Sequence, residues 1–154
     1  MLLDLLRDPL FRSVLMMVWL LPCALQDYRT RLVSNWLTIP LFLIAWPIAI
    51  VTGQLSLTFA VFVGVYIASK LEPRFGAADA KLMVGLAAFT PLGLGIGLVL
   101  EVAAFAVLRL RRGKAVAISG ALWLYLGCLL YSVVGLAGML VDPVTGYRSN
   151  LSLP

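Results

Sequence analysis

The chain has 154 residues, 62% of them hydrophobic, only 12% charged and none of them histidine, and its mean hydropathy is +1.04. Soluble domains are about 45–50% apolar and roughly a quarter charged, so these figures exclude a disordered chain and argue against an ordinary soluble globule. About six membrane spans of roughly 20 residues would use nearly the whole length and leave no room for a separate soluble domain. The net charge of +5, from 12 basic and 7 acidic residues, fits basic loops on a cytoplasmic membrane face better than a nucleic-acid surface.

The missing histidine removes Ser-His and Cys-His nucleophile pairs, the HExxH zinc site and any histidine proton relay. Cys23 and Cys128 lie in separate apolar stretches and form neither a zinc ribbon nor a disulfide framework. Enzymatic proton transfer in this chain must fall on carboxylates, Tyr, Lys or a Ser-Lys pair.

In chain order, residues 1–12 place Leu2, Leu3, Leu5, Leu6, Leu10 and Phe11 on a rough helical face, which suits a short interfacial helix. Six apolar stretches follow, at about 10–26, 36–52, 55–69, 80–89, 92–108 and 117–141. Thr90-Pro91 is the expected break between the fourth and fifth, although one long helix over 80–108 would also tolerate the proline. Gly135 and Gly138 in the last stretch permit close helix contact, within or between chains. Residues 142–154 read as a polar, loosely ordered tail. The whole is expected to be a single all-α integral membrane domain over 1–154.

Charge sets the topology. Nine of the 12 basic residues lie in the loops at 27–35, 70–81 and 109–116. Six spans put all three loops on one side, whereas five would leave the most basic loop outside, so the positive-inside rule favours six spans with both termini extracytoplasmic.

With few acidic residues, each can be weighed. Asp4, Asp8, Asp142 and Glu72 all have water or basic neighbours close by in sequence. Asp27 ends the first span and Asp79 opens the fourth, so the six-span topology brings both to the same membrane face. Two carboxylates at one depth can share a proton, one acting as base toward water and the other as acid toward a carbonyl or leaving amine. The plain alternatives are a helix N-cap for Asp79 and a surface ion pair with Arg29 or Arg31 for Asp27. Glu101 lies in the middle of the fifth span, a functional candidate or a protonated structural group, and counting along the helix puts it too deep to join an interfacial pair.

The stretch Asp27-Tyr28-Arg29-Thr30-Arg31-Leu32-Val33-Ser34-Asn35-Trp36 resembles the first motif of type IV prepilin peptidases, and Gly76-Ala77-Ala78-Asp79-Ala80-Lys81-Leu82 resembles their second, Gly-x-Gly-Asp-x-Lys-Leu. Arg112-Gly113-Lys114 resembles the family's basic approach to its last helix. The resemblance spans roughly residues 13–141. It implies a GxGD-type membrane aspartic endopeptidase with Asp27 and Asp79 catalytic, and with Arg29, Asn35, Gly76, Ala78 and Lys81 binding substrate or shaping the loops. Two departures stand out: Val33-Ser34 replaces Ile-Pro, and Ala78 replaces the glycine before the second aspartate.

The resemblance is to the short, peptidase-only branch, as in tight-adherence pilus systems and archaeal preflagellin peptidases. It implies no cofactor, no zinc and no S-adenosylmethionine. It further implies that a basic leader is cut from a prepilin-like substrate at the cytoplasmic face of the inner membrane, with the lipid bilayer as the other partner and no nucleic acid. The competing expectations are a non-catalytic scaffold or transporter subunit, for which Glu101 would matter most, and an inactive relative that only binds pilin precursors.

Overall fold

The computed structural model describes residues 2–71, 76–112 and 120–145. Among these the chain is all α-helical: α1 (Leu2–Arg7), α2 (Pro9–Thr30), α3 (Asn35–Val51), α4 (Leu55–Leu71), α5 (Ala77–Phe89), α6 (Pro91–Arg112) and α7 (Gly120–Thr145). Each of the six apolar stretches has become one helix. The expected features at Glu72, at Arg74, at Gly113-Lys114 and over residues 146–154 lie outside the described residues.

Local chemistry explains the boundaries. Asp8 separates α1 from α2 by accepting the Leu10 N–H at 2.9 Å, with Pro9 at the helix start. Residues 1–12 are therefore not one helix. At the other end of α2, Arg31 takes up the left-handed conformation (φ 54°) and its N–H donates to the Asp27 carbonyl at 2.8 Å, which turns the chain sharply. Ser34 then caps α3 by accepting the Trp36 N–H, while the Gln26 side chain accepts the Ser34 N–H at 3.0 Å. Thr90-Pro91 is a true break: the Thr90 N–H closes α5 on the Leu86 carbonyl at 2.7 Å and Pro91 opens α6. The last helix runs on to Thr145, through Asp142 and Pro143, where a loose tail was expected.

Among the described residues, three helices are long and apolar enough to cross a membrane: Pro9–Thr30, Pro91–Arg111 and Gly120–Gly138. α3 and α4 are apolar but only 17 residues each, at the lower limit for a span. α5 has 13 residues, about 20 Å at 1.5 Å per residue, which is shorter than the hydrocarbon core. Its burial accounts for this. Every residue from Leu82 to Phe89 is buried, because α3 and α4 pack closely on α5 and α2, α6 and α7 also touch it. A helix apolar all round belongs in such an enclosed place.

α7 packs chiefly on α2 and α6. Its crossing with α6 is close because Gly97 and Gly127 meet backbone to backbone, and Gly97 also lies against Leu124. Gly135 packs against Leu10 of α2, while Gly138 faces open space. Outward-facing side chains are large and apolar, among them Val18, Leu43, Ile50, Leu92, Val99 and Val102. Faces of this kind suit lipid and would be a liability in water.

Candidate active site

Asp27 lies in the last turn of α2 and is 8% exposed, whereas Arg29 and Arg31 beyond it are exposed. This is not the surface ion-pair geometry that the sequence left open. The Asp27 carboxylate is turned inward to the start of α7, where its Oδ2 accepts the backbone N–H of Ala121 at 3.2 Å. The first N–H groups of a helix have no partner within it, so an inward carboxylate satisfies one of them and meets the positive end of the helix dipole.

Asp79 lies in the first turn of α5. It is not the N-cap: Gly76 occupies that position and makes no side-chain cap bond. Asp79 also points at the start of α7. A Cβ built on Gly120 would stand 2.9 Å from Asp79 Oδ2, and one built on Gly76 would stand 3.0 Å from the same oxygen. The carboxyl is thus seated between two glycines that have no side chain to obstruct it. Adjacent residues of α7, Gly120 and Ala121, touch the two aspartates, which come from positions 52 residues apart in the chain.

The electrostatics follow from this placement. Asp79 sits just before the apolar run of α5, and its pKa is pushed up to about 6, first by loss of solvent, then by the negative charges of Asp27 and Glu101. Glu101 therefore belongs to the same cluster. The expectation that it lies too deep is overturned: half-buried on α6, it is near enough for its charge to act on Asp79.

The other expected site residues fall into place around the pair. Lys81 lies two residues beyond Asp79. Its ammonium donates to the Asn35 side-chain oxygen at 2.8 Å and so ties the start of α3 to the start of α5. Asn35 acts as an acceptor here and Ser34, not Asn35, caps α3. Ala78 lies within the regular helix α5, and Gly53 is the sole positive-φ glycine among the described residues. No left-handed backbone is therefore required where the motif glycine is replaced. Gly76 has ordinary extended dihedrals (φ −68°, ψ 125°), so its value is room for Asp79 rather than conformational freedom.

Gly120 and Ala121 escape a reading of the sequence, since a helix start behind a basic loop has no motif. The visible signal is three small residues, Ser119-Gly120-Ala121, ahead of the bulky Leu122-Trp123-Leu124.

The family model described as type IV leader peptidase matches residues 14–140. The chain belongs to the type IV leader peptidase family. No curated protein and no solved structure matches it. For a leader peptidase, a hydrolase, the matched segment holds every residue of the cluster just described: Asp27, Asp79, Glu101 and the start of α7. The all-helical fold and the three helices of spanning length agree with residence in a membrane.

Proposed function

We propose that this chain is a membrane-embedded aspartic endopeptidase that removes the basic leader of a prepilin-like precursor at the cytoplasmic face of the inner membrane, with Asp27 and Asp79 as the catalytic pair. The observation that carries this reading is the convergence of both aspartates on one helix start, in a chain with no histidine. All six apolar helices cross the bilayer in this reading, with both termini outside. The two aspartates and the Asn35–Lys81 tie are then at the cytoplasmic end.

The two carboxylates are suited to different roles. Asp27, whose Oδ2 accepts the Ala121 N–H at a helix N-terminus, takes a proton from water. Asp79, with its raised pKa, carries a proton at the start and gives it to the scissile carbonyl oxygen as the water oxygen attacks. The tetrahedral intermediate then collapses. Asp27 returns its proton to the leaving nitrogen, and Asp79 recovers one from the intermediate's hydroxyl, so both groups end as they began.

The interfacial position has a physical advantage. A peptide bond must leave helical form to be cut, and extended backbone inside lipid leaves N–H and C=O groups unpaired at several kcal/mol each. A site at the helix ends avoids most of that cost while the substrate's apolar segment stays in the bilayer.

The test is co-expression with a type IV prepilin-like precursor, comparing wild type, Asp27→Asn and Asp79→Asn by the band shift that marks leader removal. Processing by wild type and none by either variant, with all three proteins in the membrane fraction, supports the pair. Retained processing in either variant rejects it.

A further inference from the structure

Gly120 is buried at the first position of α7, and all three atoms nearest a Cβ built there belong to one side chain, that of Asp79: Oδ2 at 2.9 Å, Cγ at 3.0 Å and Oδ1 at 3.2 Å. Ordinary van der Waals contact for such a Cβ begins at 3.4 Å. An alanine would therefore push Oδ2 back, by 0.5 Å for fully ordinary contact, the difference between the two distances. Gly120 lies in helical backbone, where alanine is intrinsically the better residue. Local conformation thus gives no reason for glycine at this position, and the space taken by Asp79 does.

Gly120 is paired with a second fixed point one residue on. The Ala121 N–H, 3.2 Å from Asp27 Oδ2, anchors the other carboxylate to the same helix turn. The first turn of α7 therefore holds one aspartate by a hydrogen bond and sets how closely the other can approach it. Groups facing Asp79 from the neighbouring helices are Asp27 of α2 and Glu101 of α6. On its own helix, the nearby cation Lys81 is engaged with Asn35 of α3.

Resting on the catalytic pair assigned above, we propose that Gly120 is a positioning residue: its bare Cα leaves the Asp79 carboxyl its seat on the same helix turn that holds Asp27, and a side chain at 120 displaces Asp79 from its place in the pair. Misplacement of a reacting group by about 1 Å costs on the order of 100-fold in rate. A shift of half that size in Gly120→Ala is expected to lower kcat about tenfold or more, with KM for the precursor changed less than about twofold, because the substrate's binding surface is untouched.

Purified wild type, Gly120→Ala, Asp79→Ala and the Asp79→Ala/Gly120→Ala double variant are compared in detergent, with Gly95→Ala as a control. Gly95 is also a helical glycine, and a Cβ there meets nothing. Gly120→Ala is expected to lower both kcat and Tm in the wild-type background. In the Asp79→Ala background the same substitution should leave Tm unchanged or raise it, since the obstructing carboxyl is gone. Should Gly120→Ala fail to fold, the double variant should fold.

Full turnover in Gly120→Ala, or an equal Tm loss with and without Asp79, would overturn the proposal. If Asp79→Asn retains processing, the catalytic pair itself falls. If Asp79→Asn is inactive and Gly120→Ala is fully active, the positioning role alone falls.

Discussion

At one end of the helix bundle, Ser13 of α2, Thr90 at the α5–α6 corner, and Cys128 and Ser132 of α7 are buried together. Toward the other end lie three acidic groups, Asp27, which is buried, and Asp79 and Glu101, which are half-buried. The hydroxyl and thiol groups of the first cluster are neutral and bond to one another and to nearby carbonyls, beside the buried Arg12 side chain. Ser13 Oγ donates to the Leu10 carbonyl at 2.9 Å, the Ser132 hydroxyl lies 2.9 Å from both Ser13 Oγ and the Cys128 carbonyl, and Cys128 Sγ donates to the Ser13 carbonyl at 3.4 Å. The second gathers like charges around Asp79, whose ionisation they oppose. A self-satisfied neutral network is what burial of polar groups ordinarily requires. Like charges brought together from three separate helices lower stability, so their presence is best explained by chemistry.

The largest effects should come from the carboxylate end. Asp27→Asn and Asp79→Asn each remove one half of the acid–base pair, and loss of processing by about 100-fold or more is expected from the usual size of general acid–base catalysis. A pH–rate profile sharpens the contrast further. Asp79 must be protonated at the start of the cycle, and its pKa is raised to about 6. On the alkaline side the active form is therefore lost as pH rises through that value, at about tenfold per unit. Glu101→Gln removes one of the two charges that raise the Asp79 pKa, the smaller of them. The alkaline limb of kcat/KM should then move to lower pH by a fraction of a unit, and an unmoved limb would show that Glu101 does not act on the pair.

How much of this was legible in the sequence divides along the same line. Helices, breaks and the common end for Asp27 and Asp79 follow from apolar run length, Thr90-Pro91 and the three basic loops, because those features are local or follow from alternation of direction. Glu101 was misplaced because depth was counted along one helix. How far α6 slides past its neighbours depends on the close meeting of Gly97 with Leu124 and Gly127, and no residue count contains that. The bond between Lys81 and Asn35, 46 positions apart, and the contacts of Gly120 and Ala121 are tertiary in the same sense. Each joins helix ends that the sequence presents far apart and without a shared pattern.

Smaller effects should separate positioning from packing. Lys81→Met breaks the tie to Asn35 while keeping the apolar stem. The bond is exposed, so about 1 kcal/mol or less is at stake, and processing should fall only a few-fold with little change in Tm. A loss as large as that of Asp79→Asn would instead make Lys81 part of the chemistry.

The neutral end gives the opposite signature. Ser132→Ala deletes the hydroxyl between Ser13 Oγ and the Cys128 carbonyl, which should cost about 1 kcal/mol of stability, read as a lower Tm, with processing per folded molecule unchanged. Because Ser13 and Ser132 bond each other, adding Ser13→Ala should cost less than the two single losses together. Additive losses would mean that the two hydroxyls act independently. A change in the pH–rate profile of either serine variant would mean that the two ends of the bundle are energetically linked, and that polar burial at the far end serves the chemistry as well as the packing.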